Sequence, residues 1–168
     1  MVLDAMCVRV LASTAHAPLP AAPPHVLVDS LLQAKHALKD INASVAQSKA
    51  VAVDIEGDLR PTGRLSLVQI GLESETVFLF DVLRCPHLLG ADAGLRALLS
   101  GPATKVMHDC RNDAAALKGQ FNIVLKEVWD TQTTHAILVG KDPKWYQQGL
   151  NAILDAYAGR QNSHKKQV

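Results

Sequence analysis

Three acidic side chains, two in one short segment and one in a later segment, are candidates for chemistry. Asp54 and Glu56 end a short apolar run, residues 50–56, and Asp113 follows in a later segment. Alternate residues of a β-strand face the same side, so Asp54 and Glu56 point together, with Cα atoms about 6.5 to 7 Å apart. Adjacent carboxylates repel each other unless a positive group lies between them. Mg²⁺ and Mn²⁺ supply that charge and prefer oxygen ligands, which makes this pair a candidate metal site.

The Asp54–Glu56 pair also has a simpler interpretation. If the strand ended at Val53, both carboxylates would lie in a solvated turn, and an Asp-x-Glu pair by itself occurs often by chance. The metal-site interpretation instead requires Val51, Val53 and Ile55 to be buried on the opposite face of a longer strand. The two interpretations therefore differ in where the strand ends.

Asp113 lies in a predicted helix, residues 110–118, for which Asp109 is the expected N-terminal cap. In such a helix Asp113 shares a face with Ala116 and Leu117, the stripe that should dock on a sheet. An ionised carboxylate there is costly unless it is paired or faces a cation. Alternatively, Asp113 lies at the rim of the stripe, near the helix N-terminus, where the helix dipole favours negative charge.

The elements that position these carboxylates follow from the spacing of apolar residues. A first helix, capped by Asp29 or Ser30, presents an apolar face that begins at Leu31. The predicted strands are residues 26–28, 50–56, 64–72, 76–82, 104–108 and 124–128, and the later helices are 91–100, 110–118, 131–139 and 149–158. The strands joined by short turns favour antiparallel pairing. This order predicts an α/β fold with a mixed sheet flanked by helices.

The two ends of the chain differ in composition from the rest. Residues 1–24 end in four closely spaced prolines, which forbid a regular helix and indicate an extended, Pro-rich leader. Residues 161–168 form a polar tail. One folded domain is therefore expected over residues 25–160, a length suited to a single hydrophobic core.

Charge and composition limit the kinds of partner that the chain is expected to bind. The 168 residues carry 17 Lys plus Arg against 16 Asp plus Glu, for a net charge of +1. A protein that grips long duplex nucleic acid through phosphates usually carries a basic excess, so any contact with nucleic acid should be local, at a strand end. No apolar run approaches the ~20 residues of a membrane helix, so no membrane partner is expected.

The cysteines and the N-terminus predict an intracellular protein of the cytoplasm or nucleus. The three cysteines are odd in number and show no zinc-binding spacing, a pattern that favours reduced thiols. The first residues lack the basic segment of a signal peptide, so secretion is not expected.

Two longer motifs contain the acidic residues. V-A-V-D-I-E-G followed by G-R-L-S-L-V-Q-I-G resembles the first motif of the DEDD superfamily of 3′–5′ exonucleases, and K-V-M-H-D-C-R-N-D-A-A-A-L resembles the second. The second motif has the form found in the ribonuclease D, Werner-type and Egalitarian-like branch of the superfamily. The segments F-L-F-D-V and W-D-T-Q-T-T-H-A-I-L also match that branch. Both motifs occur in the right order, which is far more specific than either alone. The resemblance runs from Val26 to Gly159 and implies a ribonuclease-H-like fold.

The resemblance also implies roles for individual residues. Asp54 matches the carboxylate that bridges two Mg²⁺ or Mn²⁺ ions, Glu56 a second ligand, and Asp113 a ligand that acts through metal-bound water. The implied reaction is hydrolysis of the terminal phosphodiester at a single-stranded 3′ end of RNA or DNA, releasing nucleoside 5′-monophosphates. His108 and Arg111 flank the second motif and could approach phosphate, although a structural role is the alternative for each.

The family's third motif, Tyr-x-x-x-Asp or His-x-x-x-x-Asp, has no match after the second, since Asp155 precedes Tyr157. The resemblance therefore implies an incomplete domain whose C-terminal part is missing, with weakened metal binding and activity. It also implies an exposed apolar face that a protein partner could cover. Two further interpretations stay open, a non-catalytic module that binds RNA or a protein, and an incomplete gene model without independent function.

Overall fold

The computed structural model of this chain describes residues 24–159. The predicted polar tail and all but the last residue of the predicted leader lie outside the described residues. Within them the strands are β1 His25–Val28, β2 Ala50–Gly57, β3 Leu65–Gly71, β4 Val77–Asp81, β5 Thr104–Met107 and β6 Val128–Asp130. The α-helices are α1 Leu31–Ser48, α2 Leu95–Ser100, α3 Arg111–Phe121, α4 Thr131–Leu138 and α5 Leu150–Ala158, with short 3₁₀ turns at Pro86–Leu89 and Ala91–Ala93.

The strands form one mixed sheet in the order β1-β4-β3-β2-β5-β6. β2, β3 and β4 pair antiparallel in succession, as the short turns between them predict. β1 joins β4 in parallel at one edge, and β5 and β6 extend the other side in parallel with β2. The predicted α/β fold with a mixed sheet is confirmed. Because β2, β5 and β6 run the same way, their carboxyl ends meet at one edge of the sheet.

β2 continues to Gly57, so the interpretation that places Asp54 and Glu56 in a solvated turn is wrong. Val51, Val53 and Ile55 are buried, while the alternate side chains are exposed. Pairing with β3 continues to the end of the strand, where the register shifts between Glu56 and Gly57. Apolar side chains on one face therefore anchor a strand whose other face presents carboxylates.

α1 and α3 pack their apolar faces into the core. Ser30 is the N-cap of α1, and its side chain accepts a hydrogen bond from the Gln33 backbone N–H at 3.4 Å. The prediction that Leu31 belongs to the buried face is wrong, because half of this side chain is exposed at the first turn (50%). The buried residues of α1 are Ala34, Ala37, Leu38 and Ile41.

Several element boundaries differ from the sequence prediction. The helix predicted over residues 91–100 begins only at Leu95, after the 3₁₀ turn Ala91–Ala93. α3 does not stop at Gly119 but continues to Phe121, because the left-handed Asn122 provides the cap, donating its N–H to the carbonyls of Leu117 and Lys118. The predicted strand 124–128 is wrong. β6 begins at Val128, where backbone pairing with Lys105 of β5 sets the register.

The described chain divides into two compact units, one ending at Asp130 and the other beginning at Thr131. In the second unit, His135 is buried, and its Nδ1 lies 3.0 Å from the Tyr157 hydroxyl. Trp145 is 77% exposed, and the apolar side chains of Ile137 and Leu138 are also exposed. Among residues 24–159, no helix combines the length and the apolar character that crossing a membrane requires.

Candidate active site

Asp54 and Glu56 are both exposed on the same face of β2. Parallel pairing of β2 with β5 ends at Ala52 and Val106, so Asp54 and His108 each lie two residues past the paired segment. On the other side, Gln69 of β3 is the register partner of Asp54. Its Nε2 donates a hydrogen bond to Asp54 Oδ2 at 3.0 Å. The neighbouring strand thus orients one oxygen of this carboxylate and leaves the other side of β2 open.

Asp113, the third residue of α3, is only 7% exposed and lies on the same face as the fully buried Ala116 and Leu117. The prediction that it belongs to the docking stripe is confirmed, and the rim interpretation is wrong. The pKa of Asp113 is raised from 3.8 to about 6, mainly by burial; the negative charges of Asp54, Asp109 and Glu56 also raise it, and a hydrogen bond from its own backbone lowers it. Asp54 and Glu56 are therefore near enough to Asp113 to oppose its ionisation.

The chemistry of these donors suits a hard divalent cation, because all of them are carboxylate oxygens. Within residues 24–159, however, no three Asp, Glu, His or Cys side chains converge closely enough to hold a metal ion. Mutual repulsion separates carboxylates that no cation bridges. Asp54 and Glu56 are exposed on β2. The ligand types fit a cation, and convergence on it requires these side chains to turn.

Arg111 and His108, the predicted phosphate contacts, flank the start of α3. The Arg111 guanidinium is exposed and pairs with Asp109, Nε to Oδ1 at 2.7 Å and Nη2 to Oδ2 at 3.1 Å. Exposed ion pairs contribute roughly 0 to 1 kcal/mol, so a phosphate can replace the carboxylate at small cost. His108 is half-buried directly after β5. The prediction of Asp109 as helix cap is wrong, because the N-cap position is Cys110 and Asp109 binds Arg111 instead.

Two polar residues at this edge were not identified from the sequence. Gln69 is recognisable only from the hairpin register that places it opposite Asp54. Asp130, the last residue of β6, accepts hydrogen bonds from the backbone N–H groups of Asp109 at 3.1 Å and Cys110 at 3.0 Å. No local pattern signals the role of Asp130, because its partners are about 20 positions away in the chain.

Comparisons with known proteins identify a matching family and similar folds. The sequence model of the 3′–5′ exonuclease family matches residues 31–168. The structure of Trypanosoma brucei RNase D in complex with RNA U12 superposes with a TM-score of 0.69 at 27% identity, covering 96% of this chain and 52% of that one. Escherichia coli RNase D, described as an exoribonuclease involved in structured RNA processing, shares the fold at 20% identity, with a TM-score of 0.67 over 85% of this chain and 36% of that one.

A curated relative is the piRNA biogenesis protein EXD1 of Danio rerio, which is 37% identical over 79 residues, 45% of this chain and 20% of that protein. The chain thus spans about half of the T. brucei RNase D chain and a fifth of the EXD1 protein. The fold is that of the RNase D exonuclease domain, which is ribonuclease-H-like. With the family match covering most of its length, the chain belongs to the 3′–5′ exonuclease domain family.

Proposed function

We propose that this chain provides the metal-binding and nucleolytic surface of a 3′–5′ exonuclease that acts on single-stranded RNA. The observation that carries the proposal is the placement of Asp54 and Glu56 on one exposed strand face, within electrostatic range of the buried Asp113. A buried carboxylate whose ionisation is opposed by two others is costly to maintain and points to a cationic ligand. The RNA bound to the similar T. brucei RNase D supports RNA as the substrate class.

In this proposal Asp54, Glu56 and Asp113 hold two divalent ions, Mg²⁺ or Mn²⁺. Bound there, such ions supply positive charge to the attacking and leaving oxygens of the phosphodiester. Overall, water is consumed at the terminal phosphorus, the 3′ oxygen of the preceding nucleotide leaves, and a nucleoside 5′-monophosphate is released. The chain itself orients Asp54 through Gln69 and keeps Asp113 on the rigid face of α3.

The near-neutral charge of the chain suggests that RNA is gripped at its end rather than along its length. His108 and Arg111 lie next to the acidic residues in sequence and follow β5 at the same edge of the sheet. Arg111 would exchange its exposed Asp109 partner for a substrate phosphate, with two parallel N–H donors suited to phosphate oxygens.

The test is a ladder assay on 5′-labelled single-stranded RNA with the 168-residue chain and Mn²⁺, beside a parallel DNA substrate. We expect stepwise shortening from the 3′ end that stops with chelator and in Asp54→Asn, whose amide cannot supply the anionic ligand. Asp81→Asn is the matched control, since Asp81 also ends a strand but accepts the backbone N–H of Arg84. Equal cleavage by wild type and Asp54→Asn would contradict the proposal, and tight RNA binding without cleavage would indicate a non-catalytic module.

Gln69→Leu is expected to lower the cleavage rate about 10-fold or more, the usual lower range for removing a group that orients a metal ligand. Leucine has similar bulk but no donor for Asp54 Oδ2, so the carboxylate loses one fixed orientation. Single-turnover rates at saturating Mn²⁺ measure the effect. The exposed Gln47 provides the control, as Gln47→Leu alters a glutamine near the end of α1. A Gln69→Leu enzyme as fast as wild type would show that this hydrogen bond does not orient the ligand.

A further inference from the structure

The turn between β5 and α3, residues 108–110, is held by a carboxylate from a different strand. Asp130 ends β6, and its backbone pairs with Met107 at the end of β5. From there its Oδ1 accepts the Asp109 N–H at 3.1 Å and its Oδ2 accepts the Cys110 N–H at 3.0 Å. Both oxygens of one side chain are therefore engaged by consecutive backbone amides, an arrangement that fixes the position of the turn in two directions.

The Cys110 thiol adds a contact of the same kind. Burial, and after it the charge of Asp130 and a hydrogen bond to Asp130, raise the pKa of Cys110 to about 12. The thiol therefore stays protonated at neutral pH and can act as a donor to the same carboxylate. This contact adds to the two amide hydrogen bonds, which hold the turn without it.

The turn that Asp130 holds is strained. Asp109 has φ +54°, in the left-handed region that residues other than glycine rarely occupy. Helix α3 also lacks a conventional cap, since Cys110 at the N-cap position makes no side-chain capping hydrogen bond. Amides at a helix start ordinarily need such an acceptor, and negative charge there interacts favourably with the helix dipole. From outside the helix, Asp130 supplies a negative charge and an acceptor for the Cys110 N–H at the N-cap position.

The start of α3 decides where Asp113 lies, because that residue is in the first helical turn, three positions after Cys110. We propose that Asp130 is a positioning residue for the acidic site: by holding the β5–α3 turn, it places Asp113 relative to Asp54 and Glu56. With both oxygens engaged by backbone amides, Asp130 acts through the turn rather than as a metal ligand. This proposal rests on the proposed function and adds to it a residue outside both exonuclease motifs.

Asp130→Asn tests the proposal, because asparagine keeps one acceptor oxygen and turns an NH₂ group toward the second amide. We expect the exchange of the Asp109 and Cys110 amide hydrogens to accelerate about 10-fold or more. The affinity for Mn²⁺ alone, measured by calorimetry, should fall about 10- to 100-fold, and kcat on RNA should fall with it while KM changes less than about 3-fold. Asp81→Asn, which alters another strand-end carboxylate that accepts a backbone N–H, should leave all three unchanged.

A second variant covers the case in which Asp130→Asn does not fold, as judged by its thermal transition. Asp130→Glu keeps both acceptors and the charge but moves them outward by one methylene, so the turn shifts while its amides stay bonded. A displacement of about 1 Å near a reactive site can cost on the order of 100-fold in rate, so kcat should fall here also. Wild-type Mn²⁺ affinity and amide exchange in folded Asp130→Asn, or wild-type Mn²⁺ affinity and kcat in folded Asp130→Glu, would overturn the positioning role. If the wild-type protein binds Mn²⁺ but cleaves no RNA, the proposed function is refuted. The role of Asp130 is then still tested by the Mn²⁺ affinity and the amide exchange of its variants.

Discussion

Asp113→Asn is expected to stabilise the protein at about pH 8 by roughly 2 to 3 kcal/mol while reducing RNA cleavage to background. The reason for both effects is the same. Asp113 is almost fully buried, and burial with neighbouring carboxylates raises its pKa from 3.8 to about 6. At neutral pH the folded protein therefore retains an unfavourable negative charge in this position, which asparagine of nearly equal size removes.

The direction of this stability change follows from how the ionisation of Asp113 depends on pH. Below about pH 4, Asp113 is protonated in both the folded and the unfolded chain, so its carboxyl causes no loss of stability. Between the unfolded value of 3.8 and the folded value of about 6, the unfolded state loses the proton first, and stability falls as the pH rises. Above that pH range the decrease in the free energy of unfolding is complete, and it amounts to about 1.4 kcal/mol for each unit of difference between the two pKa values.

Urea unfolding of both proteins at about pH 3.5 and pH 8 measures the effect, with similar stability expected at the lower pH and a clear advantage of Asp113→Asn at the higher one. Asp155→Asn, at an exposed position in α5, controls for the general change in net charge. Adding Mn²⁺ at pH 8 should stabilise wild type and not Asp113→Asn, since only the native site binds the ion. A variant that is no more stable than wild type at pH 8 would contradict the account of Asp113 as a destabilising carboxylate.

Gly119→Ala is expected to destabilise the protein by about 2 to 4 kcal/mol, the range of severe overpacking, although alanine is the better helix former by about 1 kcal/mol. Gly119 lies inside α3, where a Cβ would be 2.6 Å from the Cα, Cβ and carbonyl oxygen of Pro61. Such distances force backbone to move. The missing side chain is what allows the loop after β2 to approach the helix.

Moving the loop away from the helix is energetically costly, because Gln120, the residue after Gly119, forms hydrogen bonds to it. Gln120 Nε2 donates to the carbonyls of Asp58 at 2.9 Å and Arg60 at 2.7 Å, and its Oε1 accepts the Leu65 N–H at 2.8 Å. Relieving the clash would stretch these three hydrogen bonds, each contributing about 1 kcal/mol. The same loop follows Glu56 directly, so the displacement should also lower the affinity for Mn²⁺.

Chemical unfolding of Gly119→Ala beside Ala115→Gly separates packing from helix propensity. Ala115 is exposed in the same helix, and its replacement should cost about 1 kcal/mol through propensity alone. Steric contact predicts that both variants are less stable than wild type. If propensity controlled both positions, Gly119→Ala would be the more stable protein, and the close approach of Pro61 would have no energetic consequence.

The face that each acidic residue occupies was accessible from the sequence because backbone geometry is periodic. Alternation in β2 separates Asp54 and Glu56 from the buried Val53, and the helical repeat places Asp113 beside Leu117. Patterns of this kind depend only on neighbours within a few positions. They were sufficient to predict the mixed sheet, the antiparallel hairpins and the acidic residues whose roles are proposed above.

The roles of residues that contact distant parts of the chain could be identified only from the tertiary structure. Gln69 binds Asp54 because two strands pair in one register, and Asp130 holds the turn before α3 because β6 lies next to β5. Position 119 of α3 excludes a side chain because Pro61 occupies the space where a Cβ would lie. None of these roles leaves a periodic signal. The sequence by itself determined which face carries the carboxylates, whereas only the folded chain decided what orients them, because hydrogen bonds and close contacts between distant segments are set by strand order and register.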